Sequence, residues 1–416
     1  MKLELKRQDF LNAWQIAENF TDKKSAKEST SGILITASDD GRVMLTATNL
    51  KTSVCCKAEG VNIIEPGVAV VPSVILGSML KKFTSDTLSL EITSECGFIK
   101  AEKSKARFTI ISAEAFPKIP ESSSAEEIFN FRASDLARLI AEGSSAASKP
   151  DDFPKYLGTC LVRTQAGKLN IVATDGKRLS ISKSDCDSIN KETDLLLPSQ
   201  DFKELGKTLS GNYPDKNVKI LADESTVWFN LEDIEFSIRS IDASFPSYER
   251  ILNDKVQTSI KIKTEDLMPA LERIDIIART TPAHIMSMTF YGNGNPEIKI
   301  TSRAPEYGTA RETVNALSVE GEYLQVGFNV GYFIEGLKIL GSGEIRIEFS
   351  GEEGQTRMLR GERSGDFLYM LMPARLSQQD KIADQEMGEE NEINFKEYEN
   401  SEPVAENNEN ENNTQE

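Results

Sequence analysis

Residues 45–50 read LTATNL, and residues 171–176, which lie 126 positions later, read IVATDG. The shared Ala-Thr pair followed by Asn or Asp is a weak signal on its own. Three further markers recur in the same order at nearly the same interval. Because self-similarity at a fixed period is typical of repeated structural units, the chain is predicted to contain several copies of one unit.

Two of these markers are helix starts, and the third is a strand followed by a proline. An acidic residue before an apolar run predicts helices that begin at Asp9-Phe10, Asp135-Leu136 and Asp266-Leu267, at spacings of 126 and 131. The second helix starts contain Pro72, Pro198 and Asn329, at the same two spacings. The strand and X-Pro marker occurs at Phe116-Pro117, Phe245-Pro246 and Met372-Pro373, at spacings of 129 and 127. Together the markers predict three domains, at residues 1–125, 126–253 and 254–376.

Each predicted domain mixes helices with strands. Apolar residues three and four positions apart, as in Phe202, Leu205 and Leu209 or in Val330, Phe333, Leu337 and Leu340, predict amphipathic helices. Short runs such as GILITAS and VMLTATN, joined by the turn residues DDGR, predict strands. The expected fold class is α+β, with two helices against antiparallel sheets in each domain.

Residues 377–416 belong to none of the three domains. They contain 13 acidic and two basic residues, a net charge of −11, and few apolar residues. Such a composition predicts a disordered acidic tail. The net charge of the whole chain, −18, argues at first against nucleic-acid binding. Screening over about 8 Å lets a local basic surface act independently of an acidic exterior, so the charge does not decide the question.

The composition excludes several functional classes. Five cysteines without a CxxC pair predict buried thiols rather than a metal site. A single histidine, His284, excludes most hydrolase arrangements that need a histidine base. No apolar run reaches the roughly 18 residues of a membrane span, and the N-terminal MKLELKRQDF has no apolar signal region, so a cytoplasmic protein is expected.

Three segments resemble a known family. They are ATDGKRL at residues 173–179, FPSYERI at residues 245–251 and YMLMPARL at residues 369–376. This combination is similar to the β subunit of bacterial DNA polymerase III, the β sliding clamp family, and the resemblance covers residues 1–376.

The resemblance implies an architecture and a function. In this family the helices of each domain lie inside and the sheets outside, and two three-domain chains close into a six-domain ring. Duplex DNA passes through the ring and is held by topology and loose phosphate contacts, without base recognition. The implied role is a non-enzymatic processivity factor without cofactor or metal. Its expected partners are DNA, a second copy, the replicative polymerase, the clamp loader, and other polymerases and repair proteins.

The family binds short partner peptides in a pocket between its second and third domains. Carried onto this sequence, the pocket residues are Leu157, Thr174, Gly176, Lys177, Arg178, Leu179, Pro246, Arg250, Ile251, Met370, Leu371, Met372, Pro373, Ala374, Arg375 and Leu376. Apolar members suit aliphatic or aromatic anchors, and Arg178 and Arg250 suit polar groups. Lys177 replaces a histidine found in some relatives, and Ala374 replaces a larger side chain. The alternative for MLMPARL is a terminal strand packed into the third domain, and for ATDGKRL a strand with a tight turn.

The family also implies a positive lining and a dimer interface. The expected DNA-facing residues are Lys24, Lys81, Lys82, Arg138, Lys149, Lys155, Tyr156, Lys203, Lys207, Arg273 and Lys338. Ordinary solvated helix faces are the alternative for each of them. The expected dimer contacts, beside paired edge strands, are Phe108, Ile110, Ile276 and Ile277.

Two other functions stay open on the sequence alone. One is a carboxylate-based hydrolase using Asp175 or Asp242, against which the chain offers no phosphate loop, nucleophile elbow or paired metal carboxylates. The other is a repeat scaffold that binds proteins but not DNA.

Overall fold

A computed structural model describes residues 1–22, 28–150, 152–253, 255–292, 294–361 and 365–378. Lys24 and most of the predicted acidic tail therefore lie outside the described residues.

Among its described residues, the first predicted domain contains three α-helices and nine strands. The helices are α1 (Arg7–Glu18), α2 (Glu28–Ser31) and α3 (Ser73–Lys82). The strands are β1 (Lys2–Lys6), β2 (Gly32–Ala37), β3 (Val43–Thr48), β4 (Thr52–Lys57), β5 (Val61–Glu65), β6 (Gly67–Pro72), β7 (Thr87–Ile92), β8 (Cys96–Ala101) and β9 (Ser104–Thr109).

The second predicted domain contains two helices and eight strands. The helices are α4 (Ala133–Gly143) and α5 (Ser199–Asn212). The strands are β10 (Glu126–Arg132), β11 (Thr159–Gln165), β12 (Lys168–Thr174), β13 (Arg178–Asp185), β14 (Thr193–Pro198), β15 (Asn217–Ala222), β16 (Thr226–Leu231) and β17 (Ile234–Arg239).

The third predicted domain also contains two helices, with nine strands. The helices are α6 (Thr264–Ala278) and α7 (Val330–Leu340). The strands are β18 (Thr258–Lys263), β19 (Ile285–Phe290), β20 (Glu297–Ala304), β21 (Gly308–Asn315), β22 (Ser318–Gly321), β23 (Leu324–Asn329), β24 (Glu344–Phe349), β25 (Thr356–Arg360) and β26 (Phe367–Leu371).

The repeated helix starts are confirmed. Asp9, Asp135 and Asp266 each lie in the first turn of their helices, where a carboxylate favours the positive end of the helix dipole. Pro72, Pro198 and Asn329 are the residues immediately before α3, α5 and α7. The strand and X-Pro marker is right only for Met372-Pro373, which follows β26 directly. It is wrong for Phe116-Pro117 and Phe245-Pro246, because irregular chain separates them from β9 and β17.

The chain divides into two compact units. The first consists of Met1–Asn253 and Met358–Met370, and the second of Asp254–Arg357 and Leu371–Glu416, whose last residues are not described. In the first unit, β17 pairs antiparallel with β4, with Ile238 opposite Thr52. This pairing makes one eight-stranded sheet, in the order β10-β15-β16-β17-β4-β3-β2-β6, out of strands from two repeats. The two repeats are therefore joined by backbone hydrogen bonds.

The remaining sheets follow the repeats. In the first unit, β5-β1-β7-β8-β9 form a five-stranded sheet with β9 at one edge, and β14-β11-β12-β13-β26 lie side by side. In the second unit, β21-β20-β19-β23 form a four-stranded sheet with β21 at one edge, and β24-β18-β22 lie side by side.

The helices cover the sheets with their apolar faces. Phe202, Leu205 and Leu209 of α5 are fully buried, as the periodicity predicted. Val330, Phe333, Leu337 and Leu340 of α7 are buried as well. In α1, the Trp14 ring lies 5.8 Å from the Phe10 ring, and its indole N–H donates to the Ser73 carbonyl of α3 at 3.1 Å. The predicted α+β class, with two main helices per repeat, is confirmed.

Candidate functional site

The loop between β12 and β13 is a tight turn held by its own side chains. The Thr174 hydroxyl donates to the Arg178 carbonyl at 2.7 Å and accepts from the Gly176 N–H at 3.0 Å. The Asp175 carboxylate accepts from the N–H groups of Lys177 and Arg178, at 2.9 and 3.0 Å. Gly176 has a φ of +83°, which glycine adopts without the steric cost of a side chain. The Ala-Thr-Asp-Gly sequence thus fixes the backbone on which Arg178 is mounted.

Arg178 is oriented by two further contacts. Its Nε donates to Asp175 Oδ2 at 3.0 Å, and its Nη1 donates to the Tyr369 hydroxyl of β26 at 2.9 Å. The Arg178 side chain is only 9% exposed. Because these contacts fix the Arg178 rotamer in the unbound protein, little conformational entropy is lost when a ligand bonds to the Arg178 side chain.

The other pocket residues predicted in the first unit divide into buried and exposed sets. Leu179 and Met370, at 3% and 1% exposure, belong to a hydrophobic cluster that also contains Tyr248. Pro246, Arg250 and Ile251 are exposed, Lys177 and Gly176 are exposed in the turn, and Leu157 is half-buried. Leu179 and Met370 therefore support the sheet, and a ligand can reach the exposed side chains and the 9% of the Arg178 side chain that is accessible.

Residues 372–378, the described part of the chain after β26, belong to the second unit and form no strand. Among them the one ladder contact is the Ala374 N–H donating to the Gly327 carbonyl at 2.8 Å, so the terminal strand of the alternative ends at Leu371. A cavity of about 660 Å³ opens here, lined by Met372 and the four residues after it together with Gln325, Gly327, Glu352 and Glu353. Met372 is 48% exposed. The exposed thioether beside a cavity is the adaptable apolar surface expected of a peptide site.

Seven of the predicted DNA-facing residues lie on five of the helices. Lys81 and Lys82 are on α3, Arg138 on α4, Lys203 and Lys207 on α5, Arg273 on α6 and Lys338 on α7. Lys149, Lys155 and Tyr156 precede β11. Each repeat thus carries basic residues on its main helices.

Several of these cations are paired within the protein. Lys81 binds Glu18 at 3.2 Å, Arg138 binds Glu142 at 3.1 Å, and Lys207 binds Glu204 at 3.3 Å. Arg273 binds both carboxylate oxygens of Glu312, at 2.7 and 2.6 Å. This guanidinium lowers the pKa of the Glu312 carboxyl. Sequence reasoning missed Glu18 and Glu312 because they come from other elements than the cations they bind. Glu142 and Glu204 lie four and three positions from their cations on the same helix, a spacing that could have indicated both pairs.

The predicted dimer residues differ in accessibility. Ile276, on α6, is 59% exposed, and Ile277 and Ile110 are half-buried. Phe108 is 6% exposed, and its ring covers Gly97 of the neighbouring strand β8. Phe108 lies on β9, an edge strand, and β21 is an edge strand in the second unit. An edge strand carries unpaired backbone groups on one side.

Two structural features are absent from the described ranges, a cluster of potential metal ligands and a membrane-spanning helix. No group of three or more His, Cys, Asp and Glu side chains there is placed to hold a metal ion. None of the helices in those ranges is both long and apolar enough to span a bilayer.

Comparisons with known proteins agree along most of the chain. Family models for the N-terminal, central and C-terminal domains of the DNA polymerase III beta subunit match residues 1–120, 130–247 and 249–375. The beta sliding clamp of Bacillus subtilis is 24% identical over 384 residues, covering 90% of this chain and 100% of that protein. The clamp of Staphylococcus epidermidis is 25% identical over 359 residues, covering 84% and 93%.

Solved structures show the same relationship. The DNA polymerase III subunit beta of Pseudomonas aeruginosa superimposes with a TM-score of 0.83 at 24% identity, covering 90% of this chain and 100% of that one. The beta subunit of Thermotoga maritima gives a TM-score of 0.82 at 25% identity with the same coverage. Because all three domain models match in order along residues 1–375, the chain belongs to the DNA polymerase III beta subunit family, the bacterial sliding clamps.

Proposed function

We propose that this sliding clamp closes as a homodimeric ring around duplex DNA in the cytoplasm and tethers replicative polymerase and other DNA-processing proteins to it, without catalysing a reaction. The observation that carries the proposal is the threefold repeat itself, matched in order by the three domain models of the family. Two chains of three domains supply the six domains of a closed ring.

Ring closure is supported by the free edges. In the first repeat β9 ends a five-stranded sheet, and in the third repeat β21 ends a four-stranded sheet. Pairing these edges between two copies would satisfy their outer backbone groups and remove an aggregation liability. Ile276, exposed on α6, supplies apolar surface for the same contact.

DNA retention by a ring does not require strong binding. A topologically closed ring must open before it releases DNA, whereas phosphate contacts must stay weak for the ring to slide. The internal pairing of Lys81, Arg138, Lys207 and Arg273 suits such weak contacts. Lys82 and Lys338 are exposed and make no ion pair among the described residues, so they are the proposed contacts with phosphate.

Partner capture is proposed for the exposed residues around the Thr174–Arg178 turn, for the segment from Pro246 to Ile251 and for the residues after Leu371. The fixed Arg178 offers a hydrogen-bond donor, Ile251 an exposed aliphatic side chain, and Met372 an adaptable one. Peptide anchors buried in such mixed apolar and polar surfaces typically carry most of the binding energy.

The test uses circular DNA. Purified clamp is loaded by its clamp loader onto nicked circular DNA, washed in high salt and then treated with a restriction enzyme that cuts once. We expect the protein to stay on the circle and to leave within minutes of linearisation, since only topology resists salt. Equal release from circular and linear DNA would instead favour a protein scaffold that does not encircle DNA.

A further inference from the structure

The loop between β3 and β4 reproduces the Thr174–Arg178 turn hydrogen bond for hydrogen bond. The Thr48 hydroxyl donates to the Thr52 carbonyl at 2.7 Å and accepts from the Leu50 N–H at 3.0 Å. The Asn49 side chain accepts from the N–H groups of Lys51 and Thr52, at 2.9 and 2.8 Å. The first repeat therefore keeps the turn on which the proposed peptide site of the second repeat is built.

One residue departs from the pattern. Leu50 stands where the second turn has Gly176, yet its φ is +73°, in the left-handed region that leucine rarely adopts. The Leu50 side chain is 49% exposed, so no burial in its own fold compensates for the strain. A strained, exposed apolar side chain at the tip of an ordered turn indicates a contact surface.

A cavity of about 790 Å³ lies beside this turn, within the first unit. Three cationic residues line it: Lys51 from the turn, Arg239 from the end of β17 and Lys155 from the segment before β11. All three are exposed, and none makes an ion pair among the described residues. The Arg239 backbone N–H donates to the Lys51 carbonyl at 2.9 Å. This bond holds the two residues side by side, so two positively charged side chains start from neighbouring positions. An anionic occupant would relieve this repulsion.

The rest of the lining favours a peptide over a nucleic-acid backbone. Asp22 and Asp201 also line the cavity, and burial raises the pKa of Asp201 while Lys51 and Asn49 oppose the shift. Carboxylates repel phosphate, and a phosphodiester chain has no N–H groups to offer them. A peptide brings backbone N–H donors for the aspartates and carboxylates for the cations. Ile241 adds apolar surface to the lining, and Leu50 is an exposed apolar side chain in the turn whose Asn49 and Lys51 line the cavity.

We propose that this cavity, which we call the first-repeat cavity, is a second peptide-docking site and that its occupant is residues 389–399 of this chain. These residues read EENEINFKEYE, with five glutamates, one lysine and the apolar Ile393 and Phe395. They lie outside the described residues. In an extended peptide, Ile393 and Phe395 share one side with Glu389, Glu397 and Glu399. In the proposed complex this side faces the cavity, with the apolar side chains toward Ile241 and Leu50 and the three glutamates toward Lys51, Arg239 and Lys155.

The segment is covalently attached through a short linker. It begins 13 residues after Leu376, so residues 377–388 form a linker of 12 residues. Fully extended at about 3.4 Å per residue, this linker can span roughly 40 Å. Within that reach, covalent attachment gives the segment an effective concentration far higher than that of a free peptide.

The experiment uses the full-length protein with a photo-reactive benzoylphenylalanine in place of Phe395. After irradiation at low salt, mass spectrometry should find cross-links to residues 48–52 and 239–241. Lys51→Glu with Arg239→Glu should lower the cross-linked fraction about tenfold, since two favourable charge contacts become repulsive. Lys261→Glu with Lys263→Glu, on exposed lysines of β18, is the matched control and should leave the yield unchanged.

A charge reversal in the tail separates loss of docking from any other effect of the Lys51→Glu and Arg239→Glu substitutions. Adding Glu397→Lys and Glu399→Lys, which share the face of Ile393 and Phe395 in an extended peptide, to the Lys51→Glu, Arg239→Glu protein should restore most of the cross-linking. Cross-links mainly to other residues, or equal yields in variant and control, would overturn the proposal. So would a cavity variant that lowers affinity for duplex DNA while no cross-link to the cavity forms, because the site would then bind phosphate.

Discussion

Ile251 and Leu179 show that residues of one proposed site can have opposite roles. Ile251 is 43% exposed and Leu179 is 3% exposed. We expect Ile251→Ala to weaken the binding of a polymerase-derived peptide by about 1–2 kcal/mol, because an anchor side chain is removed, with stability changed by less than about 0.5 kcal/mol. Leu179→Ala should instead cost about 2–5 kcal/mol of folding free energy. Calorimetric peptide titration and denaturant unfolding of each variant check both statements. A similar stability loss in the two variants would show that Ile251 only supports the fold.

The buried thiols make a second prediction at this scale. Burial raises the pKa of the Cys160 thiol to about 12, and it raises the pKa of Cys56 as well. Since the thiolate is the nucleophile, neither residue should react with iodoacetamide at pH 8 until the protein unfolds. The same shift affects stability: the native thiol keeps its proton while the unfolded chain loses it near pH 9. The stabilising contribution is therefore complete below about pH 9 and is lost as the pH rises toward 12.

Urea midpoints at pH 7, 9 and 10.5 test this second effect. Other groups also titrate in this range, so the comparison is with Cys160→Ala, which lacks the thiol. The fall in midpoint with pH should be smaller in the variant than in the parent. Equal falls of the urea midpoint in the parent and in Cys160→Ala would mean that the Cys160 thiol has the same pKa in the folded and unfolded states.

At the scale of elements, helix α6 and strand β9 carry the proposed ring closure. Replacing Ile276 with Glu and Ile277 with Ala should place a charge in the apolar interface and convert the dimer to monomers, a destabilisation on the order of 2–5 kcal/mol per interface. Light scattering at micromolar concentration measures the change. Leu317→Glu, at a position 52% exposed in the same unit, is the control and should stay dimeric. A parent protein that is already monomeric would contradict the ring.

The elements were largely predictable because they repeat. Helix starts at Asp9, Asp135 and Asp266 followed from spacing, because each repeat must bury the same helix face. The turns at Thr48 and Thr174 were likewise visible as Ala-Thr-Asx. The positions of the X-Pro pairs relative to the strands were not predictable, because the length of irregular chain between a strand and its X-Pro pair leaves no periodic signal in the sequence.

The proposed sites were less predictable than the elements. The resemblance supplied the pocket residues, but it could not show that Leu179 and Met370 are buried while Ile251 is exposed. Nor could the sequence reveal that Glu312, 39 residues away, neutralises Arg273. Both depend on which elements become neighbours, and that information is long-range.

At the scale of the whole molecule, the net negative charge is compatible with DNA binding because acidic and basic side chains are paired locally. The chain carries a net charge of −18, of which −11 lies after Leu376. Lys81, Arg138, Lys207 and Arg273 are paired with glutamates, so these four helix cations are less available to phosphate than exposed lysines that make no ion pair among the described residues. Fewer phosphate contacts mean a weaker dependence of DNA affinity on salt.

This dependence gives the last prediction. Each lysine that contacts a phosphate should contribute about 0.9 to the slope of log affinity against log salt. Lys82→Ala with Lys338→Ala removes two exposed lysines on α3 and α7 that make no ion pair among the described residues, and it should lower the slope by about 0.9 for each of the two that touches phosphate. Arg273→Ala with Glu312→Ala removes a neutral pair and should leave the slope unchanged. Anisotropy titrations with a short linear duplex between 25 and about 200 mM salt compare the three proteins, since open DNA ends exclude topological retention. Equal slopes in the lysine variant and the parent would show that phosphate is bound elsewhere, and a reduced slope in the paired variant would show that Arg273 exchanges Glu312 for DNA.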